Sequence, residues 1–424
     1  MTTRLVLNVL HRWLGLTTAL FLFTSGVTGA VIAWDHELDR LLNPQLHYVR
    51  STGTPIAPAT LAALIEQRDP RVQVTYFPLK AEIPNGSLRF FVAPRIDPAT
   101  GRRFQISHNQ VFLDPQTGEE LGRRSSLTSW PITRENVISV LYRFHYSLQI
   151  PELFGSNRWG IWLLGAVALL WTFDCFVGLY LTLPIRRVLR ATASPAKTPE
   201  AHASYWQQWK PAWQIKYWGS AYRITFDIHR AFGLWTWGLL LLIAFTGFSL
   251  NLYQEIFVPV LRTVSTYTPT PIDQRRSAGP GRPVVRALSY ADVIDRATKA
   301  ASERGWTMSV TAIGYTAAQG IYNVRLSKAN DDDGNSEVAA NLYFDSVSGE
   351  LLGDRLSWKG TAADIFAQAQ FPIHSGRILG LPGRILVSLM GLVVAALSVS
   401  GVVIWWRKRR ARVVRRSQLV KALN

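Results

Sequence analysis

The sequence predicts a membrane α-helical fold: a four-transmembrane-helix bundle built as a tandem repeat, with two small α/β domains outside the bilayer. Three observations predict it. Four apolar runs reach spanning length, the chain repeats itself, and its charge is confined to alternate connections. A helix needs roughly 20 apolar residues to cross a hydrocarbon core of about 30 Å. Leu14–Trp34, Ala231–Tyr253 and Ile385–Trp406 satisfy this without a charge, and Trp159–Leu183 does so with one, Asp174. Trp and Tyr at the ends of these runs suit the membrane interface.

Charge sets the expected orientation. The N-terminus, the 184–230 connection and the tail after Trp406 carry 18 Lys/Arg against only Glu200 and Asp227, so nearly all of the formal +18 lies there. Lys and Arg near span ends stay in the cytoplasm. Both termini are therefore expected inside, and the long connections outside. Residues 1–34 read as helix 1, 35–157 as an outside domain, 158–183 as helix 2 and 184–228 as a basic cytoplasmic connection. Residues 229–253 read as helix 3, 254–383 as a second outside domain, 384–406 as helix 4 and 407–424 as a basic tail. The first run is too long for the apolar core of a signal peptide and has an internal twin, so it is expected to remain in the protein. The tail "RKRRARVVRR" is explained by topology and anionic membrane lipid, with no nucleic-acid partner needed.

The repeat is direct. Placing His11 on His229, an offset of 218, also brings Gly15 onto Gly233, Thr18 onto Thr236, Thr28-Gly29 onto Thr246-Gly247 and Glu37 onto Glu255. "VFLDPQTGEELG" (111–122) matches "LYFDSVSGELLG" (342–353), and "RWGIWLLG" (158–165) matches "RILVSLMG" (384–391). Each half thus reads span, outside domain, span. In the outside domains "PATLAALIEQ" and "SYADVIDRATKAASERG" read as helices. "RVQVTYF", "SLRFFVA" and "NQVFLD", then "TMSVTAIG", "IYNVRLS" and "ANLYFD", alternate as strands do. "DPQTGE" and "DSVSGE" carry turn chemistry. "DDDGN" (331–335) reads as a solvated turn, lacking the spacing of a calcium loop.

Four of the eight histidines, His11, His145, His229 and His374, each come shortly before one span. The topology sets His11 and His229 near the cytoplasmic surface, and His145 and His374 near the outer one. Two imidazoles facing across a helix bundle can fill both axial positions of a b-type haem. Gly15 and Gly233 lie one turn from His11 and His229, where bare backbone admits a flat macrocycle. Thr18, Gly26 and Gly29, with Thr236, Ala244 and Gly247, extend that stripe, although small residues also pack membrane helices directly. Zinc or copper could use such pairs, but the further ligands they need are not evident. Arg158 and Arg384, at matching positions, could hold haem propionates, or could snorkel. His36 is a competing outer ligand, and His47, His108 and His202 read as surface residues. Asp174, the one mid-membrane charge, defaults to a functional reading. Its twin position is Ser400, so its role reads as unduplicated. The single cysteine, Cys175, excludes an intrachain disulfide or iron–sulfur cluster, and no C-x-x-C-H attaches haem covalently. No flavin or nicotinamide motif is present, so electrons would come from a separate cytoplasmic reductase or from quinol.

"LHRWLGL…TSGVTGAVIAWDHELDRLLNP", "DIHRAFGLWTWGLLLLIAFTGFSL" and "VFLDPQTGEELG" resemble the PepSY-associated transmembrane family of bacterial inner-membrane proteins. That group includes iron-regulated membrane proteins and ferric-siderophore reductases. The resemblance implies haem b carried by four helices, PepSY-like domains in the periplasm, and electron delivery to ferric siderophore iron. Carried over, the ligands are His11 with His229 and His145 with His374. The siderophore would sit between the two outer domains, near Arg143, Phe144, Tyr146, Phe371 and Arg377. Another periplasmic acceptor, or a non-enzymatic PepSY membrane protein, are the alternatives. Asp174 has no counterpart in the family pattern as read here.

Overall fold

The computed structural model describes residues 3–127, 130–184, 204–279, 282–328 and 339–423. His202 and the 331–335 run lie outside them. In chain order the helices that position the site are α1 (Thr3–Ile32), α2 (Pro58–Arg68), α3 (Val137–Ser147), α4 (Trp159–Thr182), α5 (Ala221–Trp235), α6 (Trp237–Asn251), α7 (Tyr290–Glu303), α8 (Ala362–His374) and α9 (Gly380–Leu423). The chain divides into two compact units. One comprises residues 1–33, 143–257 and 373–424, and the other residues 34–142 and 258–372.

The first unit is helical. α1, α4 and the long apolar stretch of α9 each suffice in length and composition to cross a membrane. A fourth crossing requires α5 and α6 to count as one broken span, because they meet at a 72° bend. The sequence predicts an unbroken helix there. The break falls at Thr236, whose φ of −108° and ψ of 6° leave the helical region, and whose hydroxyl bonds the Phe232 carbonyl at 2.7 Å. Such back-bonding bends helices. In the first copy Thr18 makes the same bond, to Leu14 at 2.8 Å, inside an unbroken α1. Two residues further on, the second copy has Gly238 where the first has Leu20, and glycine weakens the helix that would otherwise continue. Cys175 of α4, Leu240 and Ala244 of α6, and Met390 and Val394 of α9 form an apolar core, with Leu22 of α1 packed against it. α1 and α9 approach most closely at Gly26, where a Cβ would stand 2.6 Å from the Gly391 carbonyl oxygen. Gly26 therefore packs helix on helix, as small residues do in membranes.

The second unit is built on one antiparallel sheet of eight strands. These are β1 (Val72–Pro78), β2 (Leu88–Pro94), β3 (Gln110–Leu113), β4 (Glu120–Arg124), β5 (Ser309–Thr316), β6 (Ile321–Ser327), β7 (Ala340–Asp345) and β8 (Leu351–Leu356), in the order β4-β3-β2-β1-β5-β6-β7-β8. This corrects the expectation of two separate small domains. Each half is a four-stranded meander whose first strand would leave an open edge. β1 and β5 close those edges on each other, with Tyr76, Phe77 and Pro78 opposite Gly314, Ile313 and Ala312. One core runs through both halves, including Leu61 of α2, Phe77, Phe90, Tyr290 of α7, Ile313 and Tyr322. The two Asp-Gly turns form as their chemistry demands. Asp114 accepts from the amides of Gln116 and Thr117, Asp345 from those of Val347 and Ser348, and Gly118 and Gly349 take φ of +70° and +75°.

Two histidines expected at the surface of this unit are tied into it. His108 is buried. His47 stands edge-on to Phe112 at 5.5 Å and bonds Asp39 at 3.0 Å. Asp39 is buried and also takes two 2.7 Å bonds from the buried Arg124. Burial alone would raise the Asp39 pKa, but the bonds from Arg124, His47 and Asn43 outweigh it and hold the carboxyl well below the usual range. Removing one partner of such a pair leaves a stranded charge, a cost of about 3–5 kcal/mol. Arg124→Ala should therefore strip hydrogen-exchange protection from β3, β4 and residues 35–47. Because the folded-state pKa is depressed, the pair's contribution is present at neutral pH and is lost only as pH falls through that low value. Protection in the unsubstituted protein should accordingly stay flat between pH 7 and pH 5.

Candidate functional site: two facing histidine pairs

All four singled-out histidines fall in the helical unit. His11 lies on α1 and His229 on α5, both well inside their helices rather than at the helix start. His145 is near the end of α3, and His374 ends α8. They meet as two pairs. The His11 and His229 rings stand 6.3 Å apart, centre to centre, and the His145 and His374 rings 6.1 Å. Two imidazoles binding one metal ion from opposite sides, each through a nitrogen at about 2.0–2.1 Å, put their ring centres roughly 6 to 6.5 Å apart. Both pairs have that spacing.

Each imidazole is anchored through Nδ1, which leaves Nε2 for a ligand. His145 Nδ1 lies 3.0 Å from the Ser25 carbonyl oxygen and 3.2 Å from the Thr28 hydroxyl of α1. His374 Nδ1 lies 2.9 Å from the Thr246 hydroxyl of α6. His229 Nδ1 lies 2.9 Å from Ser400 Oγ on α9, and His11 Nδ1 lies 2.9 Å from Asp174 Oδ1 on α4. Fixing one ring nitrogen fixes the orientation of the other. Among the described residues no group of three or more His, Cys, Asp or Glu could hold a metal ion.

A glycine on the facing helix seats each ring. A Cβ at Gly29 would stand 2.9 Å from His145 Cε1, and one at Gly247 would stand 3.4 Å from His374 Cε1. Gly178 and Gly401 do the same for His11 and His229, at 3.5 and 3.4 Å. Thr28-Gly29 and Thr246-Gly247, legible in the sequence as repeat marks, are thus the acceptor and the seat of the second pair. Gly15 and Gly233 differ. A Cβ on either would meet nothing within 4 Å, so bare backbone stands one turn from His11 and from His229.

The other site candidates are placed as follows. Arg158 is taken by Glu255, with bonds of 3.0 and 2.7 Å, and Glu255 also accepts from Trp162. Arg384 donates Nε to the Ala33 carbonyl at 2.9 Å. His36 lies in the sheet unit, where its Nδ1 is 3.3 Å from Glu82. Arg143, Phe144 and Tyr146 share α3 with His145, Phe371 precedes His374 on α8, and Arg377 opens the short turn after it. The two halves between which the siderophore was expected to sit share one sheet and are not separate domains. Asp174 corrects the sequence reading. It occupies in the first half the position that Ser400 occupies in the second, and both bond the Nδ1 of a paired histidine. The role is therefore duplicated while the residue is not. Their match when Arg158 is placed on Arg384, an offset of 226, was the available signal.

A family model described as the PepSY-associated TM region matches residues 9–408. The chain belongs to this family. It is a membrane protein, as the family and the apolar helices agree. Among curated proteins none matches it.

Proposed function

We propose that this PepSY-associated TM protein crosses the bacterial inner membrane four times, holds two b haems, and passes electrons to siderophore-bound ferric iron in the periplasm. The observation that carries the reading is the pair of facing imidazole sets, 6.3 and 6.1 Å apart, each ring held by its Nδ1. Two histidines alone make an incomplete zinc site, which wants four ligands. Two axial imidazoles complete an iron already held by a porphyrin. The donor set therefore suits haem. His11 with His229 would hold one group, and His145 with His374 the other. When bound, haem supplies one-electron storage and transfer; the fold supplies position, axial ligands and a low-dielectric surround.

The remaining assignments rest on named features. α5 and α6 together are taken as the third crossing, which gives the tandem arrangement its fourth helix. The Lys/Arg-rich segments favour cytoplasmic termini. His11 and His229 then lie on the donor side, and His145 and His374 on the periplasmic side. A haem held by both histidines of a pair would keep no coordination place for substrate, so these residues would serve electron transfer rather than substrate binding. Ferric iron would take one electron while still held by its own chelator. It becomes ferrous, which hard oxygen donors hold less firmly. The siderophore as acceptor is supported by the family resemblance, and the donor is a cytoplasmic reductase or quinol.

Reduced-minus-oxidised spectra with haem quantitation should find two b haems per chain. His145→Ala should retain the haem of the His11 pair and abolish reduction of a ferric siderophore. A colourless protein, or unchanged reduction in His145→Ala, defeats the reading. A second prediction uses the glycines. Gly15→Leu and Gly233→Leu meet open space, so each chain should accumulate as before in the membrane while losing about one haem. Retention of both haems would mean that the macrocycle does not lie against these residues.

A further inference from the structure

The four Nδ1 anchors are not equivalent. His145 gives its own to the Ser25 carbonyl and the Thr28 hydroxyl, and His374 to the Thr246 hydroxyl. His229 gives its own to the Ser400 hydroxyl. His11 alone meets a carboxyl group, Asp174 Oδ1 at 2.9 Å. The Asp174 side chain is only 12% exposed, and among the described residues no Lys or Arg pairs with it. Arg4, on the same helix as His11, is occupied with the Leu183 and Leu181 carbonyls at 3.0 and 2.5 Å. A mid-span carboxyl is costly and marks a function.

The chemistry of that contact has a direction. A carboxylate on the far nitrogen of a metal-binding histidine raises the basicity of the nitrogen facing the metal. A more basic ligand favours the more positive, oxidised metal. Serine, threonine and carbonyl acceptors do this less, because they carry no charge. We infer that Asp174 is a positioning residue that acts through His11 to make the His11–His229 position the lower in reduction potential of the two. The inference rests on the haem reading of both pairs. With haem at both pairs, one electron would leave the His11–His229 position, taking its iron from ferrous to ferric, and would reduce the iron at His145–His374 from ferric to ferrous. That exchange would run downhill from the first pair to the second. Direction would thus be set at the pair whose two anchors differ, a carboxyl on His11 and a hydroxyl on His229.

Redox titration of the purified haem-loaded protein tests this, by resolving two one-electron midpoints. Asp174→Asn keeps the shape and an acceptor oxygen but removes the charge. The lower midpoint should rise by about tenfold in the reduction equilibrium, about 59 mV for one electron, while the upper one stays. Asp174→Glu should restore most of the difference. A purely structural role in holding the His11 ring would be kept by asparagine and would leave both midpoints in place. That result, or an equal shift of both, overturns the inference. If Asp174→Asn instead loses the haem at His11, Ser400→Asp decides. A carboxyl on His229 should lower the same midpoint further, and an unmoved midpoint overturns the inference. An unsubstituted protein without haem refutes the underlying site reading instead, so the two failures are distinct.

Discussion

The arrangement depends on one repeated interaction, the hydrogen bond from a histidine Nδ1 to an acceptor on a neighbouring helix. An imidazole among apolar helices carries a polar edge that must be satisfied or it destabilises the fold. Each of the four rings meets that need with one nitrogen only. Ser25, Thr28, Thr246, Ser400 and Asp174 are the acceptors, and they bind the ring in a single orientation. The same bond that makes each histidine tolerable therefore leaves its second nitrogen as the polar edge not used by that anchor. Glycines on the acceptor helices let the rings approach closely enough for the bond to form.

This requirement explains why the helices pack as they do. α1 carries one of the paired histidines, His11, and supplies the acceptors for another, His145. α6 supplies the acceptor for His374 just as α1 does for His145, while α4 and α9 anchor His11 and His229. No helix pair forms a histidine pair alone. Packing and ligand geometry are one problem here, because a shift of α1 against α9 at Gly26 also moves ring positions. Small residues along these helices thus serve two ends, and sequence alone does not sort them. Gly26 packs backbone on backbone, Gly29 seats a ring, and Gly15 leaves bare backbone.

Much of this was legible in the sequence because it is written as periodicity or repetition. The alternation in "RVQVTYF" and "IYNVRLS" marks β1 and β6 to within a residue. β4 and β8 were missed because Gly122 and Gly353 interrupt their alternation, and because charges at Arg123 and Asp354 resemble loop residues. The union of the two halves into one sheet is not encoded in side-chain pattern. It lies in main-chain bonds between β1 and β5, over 230 residues apart. The histidines were found because the repeat duplicates them. Their acceptors were less visible, since which face of α4 looks toward α1 is a tertiary fact. The bend at Thr236 was hidden for the same reason, because Thr18 occupies the equivalent place in a helix that does not break.

A tandem repeat by itself builds two equal halves, and because each pair takes one histidine from each half, equal halves give each pair two equal members. In this chain the second pair keeps its equality. Thr28 and Thr246 stand at matched positions and meet matched histidines. The divergence is confined to the first pair, where the matched acceptors are a carboxyl and a hydroxyl. On the haem reading proposed above, a change there would alter one site and leave the other alone, because each anchor touches a single ring. A difference built at an Nδ1 anchor costs no repacking of the histidines themselves. The far side of a paired histidine would then be the least disruptive place for a duplicated scaffold to become directional.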